Sequence, residues 1–310
     1  ISGRTPPAIA TYLPRFGPEV ICPSTTDRIS PTILGHAMSM RIVSFPDKCL
    51  EGNIFRMAVE DRGEGQPIVL AHAFPFDHRV WEHQIAGLST RFRVLAPDLR
   101  GFGQSTVTSG VVTMEQMADD LALMLDALAI DEPIVLCGLS MGGYVAFQFV
   151  RRHRQRLAGL ILCDTRAAAD SNETRENRLR TAERILAEGT AFLVDQMLPR
   201  LCCERTFRHQ PDVVEKLRRM ILESPPEGVA AAARGMAQRQ DSMTLLGHID
   251  CPTLVLVGQF DAISPPEEMK EIASAVPQSS FAIVPDAGHM APLEQGEYTT
   301  QVILDFVSHL

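Results

Sequence analysis

A serine between two glycines is the residue with the clearest chemical potential in this chain. Ser140 lies between Gly138 and Gly142 in the sequence Gly-Leu-Ser-Met-Gly. The apolar run 134–137 precedes this motif, and residues 142–151 can form a helix after it. A sharp strand-to-helix turn exposes a serine hydroxyl, needs small residues on both sides, and points backbone N–H groups at developing negative charge. The motif therefore predicts that Ser140 is a nucleophile.

An acid and a base follow the serine in the chain, each just after an apolar run. Asp261 comes after the run 253–257, and His289 follows the run 281–284. Serine, acid and histidine in this order, each at the end of its own strand, are typical of hydrolysis in which the histidine accepts the serine proton. We therefore predict that Asp261 is the acid and His289 the base.

Two other aspartates compete for the role of the acid. Asp164 follows the apolar run 159–163, and Asp286 lies three residues before His289. Chain order and position favour Asp261 over both.

The elements that must position these residues alternate between strands and helices. Helical spacing over 114–128 and 267–275 separates some of the apolar runs. The predicted strands are 54–59, 68–71, 92–96, 134–137, 159–163, 253–257 and 281–284. Such alternation favours parallel strands joined by right-handed crossovers, and thus an α/β fold with helices on both faces of the sheet.

Two segments depart from this alternation. Residues 167–247 contain helical stretches but no convincing strand run, so we predict a helical cap inserted into an α/β core of residues 40–166 and 248–310. Residues 1–39 contain six prolines and no periodicity, which indicates an irregular N-terminal arm. The arm could wrap the domain, mediate a homo-oligomer contact or be disordered, and the sequence leaves these open.

Composition and charge favour a small-molecule partner. The 310 residues are 45% hydrophobic and carry a formal net charge of −9. A negative surface repels nucleic acid and anionic membranes, and no apolar run approaches the roughly 18–20 residues of a membrane span. We therefore expect neither a nucleic-acid nor a membrane partner.

The cysteines point to a reducing environment. The chain has seven, an odd number, and their spacing matches no metal site. We expect a cytoplasmic protein with neither disulfides nor a bound metal.

Taken with the loop 68–75 and the segment 96–105, these motifs make the chain resemble an α/β-hydrolase of the esterase, cofactor-free haloperoxidase and 3-oxoadipate enol-lactonase type. The resemblance runs from about residue 40 to residue 310. It implies an eight-stranded sheet in which the third and fourth strands exchange places, with a cap after the sixth strand. It also implies an oxyanion hole made by the backbone N–H groups of Phe74 and Met141. Ala73 stands where the family usually has glycine.

The expected activity is hydrolysis of small carboxylic esters or lactones through an acyl-enzyme, without any cofactor. A perhydrolase or C–C hydrolase would use the same triad, and a ligand receptor could use the same fold. We expect the cap to line the acyl pocket through Leu193, Met197, Leu198 and Phe207.

Nearby polar residues have supporting roles in this prediction. His72 is expected to orient the oxyanion loop, and Asp98 and Arg100 are expected to fix a turn by local hydrogen bonds.

Overall fold

A computed structural model describes residues 40–47 and 53–310, and the predicted arm, residues 1–39, lies outside these ranges. The core is one eight-stranded sheet. Its strands are β1 Met40–Pro46, β2 Ile54–Arg62, β3 Pro67–Ala71, β4 Arg93–Pro97, β5 Ile134–Leu139, β6 Leu157–Cys163, β7 Thr253–Gly258 and β8 Ser279–Val284.

The order of the strands is β1-β2-β4-β3-β5-β6-β7-β8, in which β3 and β4 exchange places. Strand β1 pairs antiparallel with β2, and β2 pairs antiparallel with β4, whereas all pairs from β4 to β8 are parallel. The predicted α/β-hydrolase fold class is confirmed. Strand β1, which the apolar runs did not predict, is an edge strand with four of its seven residues exposed, so it has no continuous apolar run.

The central strands are almost entirely apolar because both faces of the sheet are covered. Every residue of β3, β5 and β7 is buried. In an antiparallel sheet with one face exposed to solvent, apolar and polar residues would alternate along each strand. A parallel sheet between two helical layers instead favours continuous runs of apolar residues. Fully burying a Val, Leu or Ile side chain, compared with leaving it in water, stabilises the folded protein by about 1.5–3 kcal/mol.

Helices follow most of the strands. The α-helices of the described ranges are α1 Glu82–Leu88, α2 Met114–Ala127, α3 Met141–His153, α4 Asn172–Glu188, α5 Phe192–Leu201, α6 Glu204–His209, α7 Pro211–Glu223, α8 Pro226–Ala237, α9 Met243–Leu246, α10 Pro266–Ala275, α11 Ala291–Glu294 and α12 Gly296–Val307. Helices α2 and α3 pack together, and α1 packs against α11 and α12. None of the helices in the described ranges is long and apolar enough to cross a membrane.

Helices α4 to α9 fall within the segment 167–247, where the sequence predicted a helical insertion. Helix α4 begins after Ser171, whose side chain accepts a hydrogen bond from the Thr174 N–H, and packs along α8. Helix α8 meets the core where Gly228 lies against Gly101, so closely that a Cβ on either glycine would overlap the other backbone. Whether this insertion acts as a cap that selects substrates stays a prediction.

Candidate active site

Ser140 lies at the sharp turn between β5 and α3. Its φ of 54° is in the left-handed region, which a serine adopts only when its surroundings compensate for the strain. A Cβ at Gly138 would overlap the Gly142 carbonyl, and a Cβ at Gly142 would overlap the Ala71 carbonyl. These close contacts explain why glycine is needed both two residues before and two residues after Ser140.

The structure brings the three predicted residues into one hydrogen-bonded line. His289 Nε2 lies 2.9 Å from Ser140 Oγ, and His289 Nδ1 lies 2.8 Å from Asp261 Oδ2. The other oxygen of Asp261 accepts backbone N–H hydrogen bonds from Ile263 at 2.7 Å and from Ser264 at 2.9 Å. The carboxylate is therefore held from two sides, which orients the imidazole.

The electrostatics of Asp261 suit a permanently charged acid. Burial opposes its charge, but His289 and the backbone N–H groups of Ser264 and Ile263 outweigh burial, so the pKa of Asp261 lies below its ordinary value. With Asp261 ionised, Nδ1 of His289 carries the proton and Nε2 can accept one from Ser140.

The two competing aspartates occupy different environments. Asp164 is fully buried, and burial together with the charge of Asp261 raises its pKa well above the usual range. Its Oδ1 accepts a hydrogen bond from the Gly258 N–H at 2.7 Å. Asp286 is half-exposed, and its carboxylate lies 3.8 Å from Arg205. Neither is hydrogen-bonded to His289 within the described residues.

The loop predicted to supply the oxyanion hole is held by His72. Its Nε2 accepts a hydrogen bond from the Leu99 N–H at 2.9 Å, and its Nδ1 donates to the Ala73 carbonyl at 2.9 Å. Burial lowers the pKa of His72, so the ring is neutral and can make both bonds. Phe74 and Ser140 both line the same cavity, and Met141 is the first residue of α3, where N–H groups lack helical acceptors. That these two N–H groups bind an oxyanion stays a prediction.

Asp98 lies in a small polar cluster beside this loop. Its carboxylate accepts hydrogen bonds from the N–H groups of His78 at 3.0 Å and Gln104 at 2.8 Å, which fixes the turn. Atoms of Asp77, His78 and Asp98 lie within 4.8 Å of one another, as in a metal site. Arg79 binds Asp77 at 2.7 Å, and Asp98 is bonded both by two backbone N–H groups and by the His78 ring at 2.6 Å, so each carboxylate has a partner within the protein.

Arg100 differs from its predicted role in a local turn. Its guanidinium is fully buried and binds Asp120 on α2 and Asp47, both at 2.7 Å. The residue therefore ties the turn after β4 to distant parts of the chain.

Glu294, which the sequence analysis missed, holds the loop that carries His289. One oxygen accepts hydrogen bonds from the N–H groups of Gly288 at 2.8 Å and Met290 at 3.2 Å. The other accepts from the Cys203 N–H at 2.8 Å and the Thr206 hydroxyl at 2.6 Å. The sequence did offer one signal, because Glu294 is a charged residue in an apolar stretch five residues after His289. Its hydrogen-bond partners in the insertion could not be predicted from the sequence.

A cavity of about 650 Å³ opens beside Ser140 and His289. Of the residues predicted to line it, Leu193 and Met197 do so, whereas Leu198 and Phe207 do not. Leu198 is buried elsewhere and Phe207 is exposed, because helical spacing alone could not tell which face of α5 and α6 meets the core. The wall also contains charged side chains from α4, including Arg178.

Comparisons with known proteins agree with the fold. A family model described as alpha/beta hydrolase fold matches residues 66–295. The structure of a thermophilic esterase from Thermogutta terrifontis, described as malate bound, is 56% identical over 87% of this chain and 98% of its own, with a TM-score of 0.85. The enol-lactonase of Burkholderia xenovorans LB400 is 30% identical over 82% of this chain and 97% of its own, with a TM-score of 0.76.

A curated relative, 3-oxoadipate enol-lactonase 1 of Acinetobacter baylyi, is 26% identical over 84% of this chain and 95% of its own. The relatives are thus matched over nearly their full length. The chain belongs to the α/β-hydrolase fold family of hydrolases.

Proposed function

We propose that this protein is a serine hydrolase that cleaves small carboxylic esters or lactones through an acyl-enzyme. The observation that carries the proposal is the continuous hydrogen-bonded line from Ser140 through His289 to Asp261. It joins a strained, partly buried hydroxyl in the cavity wall to a base, and the base to a fixed acid, which is what activation of a serine requires.

The reaction has two halves. In the first, Ser140 Oγ attacks the carbonyl carbon while its proton passes to His289 Nε2, and the carbonyl oxygen becomes an oxyanion. We assign the backbone N–H groups of Phe74 and Met141 to that oxyanion, where one donor typically contributes about 10²–10³ in rate. The intermediate collapses as His289 returns the proton to the leaving alkoxide, which leaves Ser140 acylated.

In the second half, His289 takes a proton from water as the water oxygen attacks the acyl carbon. Collapse breaks the bond to Ser140 Oγ, which regains a proton from His289, and the carboxylic acid leaves. Asp261 stays ionised throughout and stabilises the imidazolium. No step calls for a metal or organic cofactor.

The relatives support an ester or lactone as the substrate, because one similar structure is an esterase and two relatives are enol-lactonases. The partner we propose is therefore a small molecule. The five free cysteines in the described part of the chain support a reducing, cytoplasmic setting.

A panel of p-nitrophenyl esters of increasing acyl length, together with several lactones, tests the proposal, with Ser140→Ala as the control. Multiple turnovers by the native protein and none by a folded Ser140→Ala protein support it. Acylation without release would instead indicate a ligand receptor. Turnover only when hydrogen peroxide is supplied would indicate a perhydrolase.

A further inference from the structure

Arg178 lies in the wall of the cavity that contains Ser140. It comes from α4, and Tyr144, one helical turn after Ser140 on α3, lines the same cavity. Tyr144 and Asp170 adjoin the guanidinium; burial opposes its charge, but these two neighbours more than offset burial and raise the pKa of Arg178. The side chain is therefore a fixed positive charge facing the space where a substrate must lie.

The hydrogen bonds of Arg178 within the protein are uneven in strength. Its Nε donates to Asp170 Oδ2 at 2.6 Å and its guanidinium is also hydrogen-bonded to Tyr144, but Nη1 donates to the thioether sulfur of Met236 at 3.5 Å, a weak acceptor. Arg100 shows what a structural guanidinium looks like in the same protein. It binds Asp120 through Nε and Nη2 and Asp47 through Nη1, all at 2.7 Å.

The charge around Arg178 is also unbalanced. Asp170 accepts a second hydrogen bond from Arg239 Nη2 at 2.8 Å, so two guanidinium groups share one carboxylate. The guanidinium of Arg239 also lies 4.2 Å from the centre of the Tyr144 ring, which attracts a cation but carries no net charge. The cluster Arg178, Arg239, Asp170 and Tyr144, here called the arginine cluster, therefore has a net positive charge.

The remaining charged side chains of the wall do not cancel this charge. Arg166 and Arg180 pair with their own carboxylates, Glu268 at 2.8 Å and Glu176 at 3.6 Å. Arg200 and Glu173, also in the wall, have opposite signs. An uncompensated charge in a partly buried site is costly, and an anionic ligand removes that cost.

We propose that the arginine cluster is a carboxylate-binding subsite, in which Arg178 and Tyr144 bind an ionised carboxylate of the substrate while Ser140 attacks its ester or lactone carbonyl. The proposal rests on the proposed function and narrows its substrate class to small esters or lactones that carry a second, free carboxylate. Arg178 offers paired N–H donors that match a carboxylate, and Tyr144 offers a hydroxyl beside them.

The test compares monomethyl succinate, which has a free carboxylate, with the neutral ester methyl butyrate. The kcat/KM of each ester is divided by its rate of alkaline hydrolysis, so that intrinsic reactivity cancels. We expect the native protein to prefer monomethyl succinate. Arg178→Met should reduce this preference by about 10- to 100-fold, the effect of a charge-assisted hydrogen bond, because the loss falls more heavily on monomethyl succinate than on methyl butyrate.

Two further variants keep the test interpretable. Arg184→Met removes the same charge from α4 at an exposed position that pairs with Glu188, and it should leave the preference intact. Tyr144→Phe keeps the ring beneath Arg239 and removes only the hydroxyl, so it reports on the subsite even where Arg178→Met fails to fold. It should reduce the preference several-fold.

Binding measured by calorimetry to the Ser140→Ala protein separates this proposal from the proposed function. Binding of monomethyl succinate that is weakened by Tyr144→Phe supports the subsite even if no ester is turned over. Equal preference for the two esters in the native protein would overturn the subsite while leaving the hydrolase intact. So would an unchanged preference in folded Arg178→Met.

Discussion

Glu294 fixes the backbone on both sides of His289. Its Oε1 accepts the N–H groups of Gly288 and Met290, and its Oε2 binds Cys203 and Thr206 from the insertion. The side chain is buried, and burial raises the pKa of Glu294 although hydrogen bonds from Thr206, Cys203 and Gly288 oppose that effect. The loop that carries the proposed base is thus tied to the segment expected to shape the pocket.

Replacing Glu294 with glutamine should therefore loosen this loop. Gln has one acceptor oxygen, and its amide group would face N–H donors. We expect a loss of about 1–3 kcal/mol in the free energy of unfolding and a lower kcat. Thermal unfolding and ester kinetics measure both effects. Glu297→Gln, an exposed change at the start of α12, is the matched control. Equal Tm and kcat in the two variants would contradict the role of Glu294.

The two buried aspartates should differ sharply in kinetics. Asp261→Asn removes the charge that orients His289 and stabilises its cation, so we expect kcat to fall by about 10⁴. Asp164→Asn keeps an acceptor for the Gly258 N–H and should have a much smaller effect. Rates on one p-nitrophenyl ester compare the two variants. The reverse ranking would move the acid to Asp164.

The raised pKa of Asp164 implies that the stability of the protein depends on pH. The pKa of Asp164 is raised in the folded protein, so the folded state holds a proton that the unfolded state loses above about pH 4. This group therefore costs stability increasingly as pH rises from about 4 toward neutrality, and it costs nothing below that range.

Asp164→Asn removes this cost. Urea titrations at several pH values from about 4 to 7 measure the free energy of unfolding of both proteins. The value for the variant should increase relative to that of the native protein as the pH rises. Parallel curves for the two proteins would mean that Asp164 is ionised in the folded state.

Met197 and Phe207 provide a paired test of the pocket wall. Met197 lines the cavity, whereas Phe207 is exposed outside it. Met197→Ala should shift the preferred acyl length upward because it enlarges the acyl space, and Phe207→Ala should leave it unchanged. The measurement is kcat/KM across the ester series. A shift in Phe207→Ala alone would place the acyl group elsewhere.

The sequence predicted the sheet, and it singled out the three residues that the structure joins by hydrogen bonds, because these signals are local. A buried strand reads as an apolar run, and the left-handed turn at Ser140 requires glycines at fixed spacing. Strand β1 was missed because an edge strand need not be apolar.

Contacts between segments that are distant in the chain could not be predicted from the sequence. The links from Glu294 to Thr206 and from Arg239 to Asp170 join residues 88 and 69 positions apart. The failure of Leu198 and Phe207 to line the cavity has the same origin, because the packing of the insertion decides which helix faces point inward.

The identity of the acylated residue tests the central claim most directly. The native protein would be mixed with an activated ester, quenched within the first turnovers, digested and analysed by mass spectrometry. We predict one acyl group, on the peptide that contains Ser140, and neither acyl group nor turnover in a Ser140→Ala protein with a native circular dichroism spectrum. Acylation of another residue, or retained turnover in the folded variant, would contradict the account.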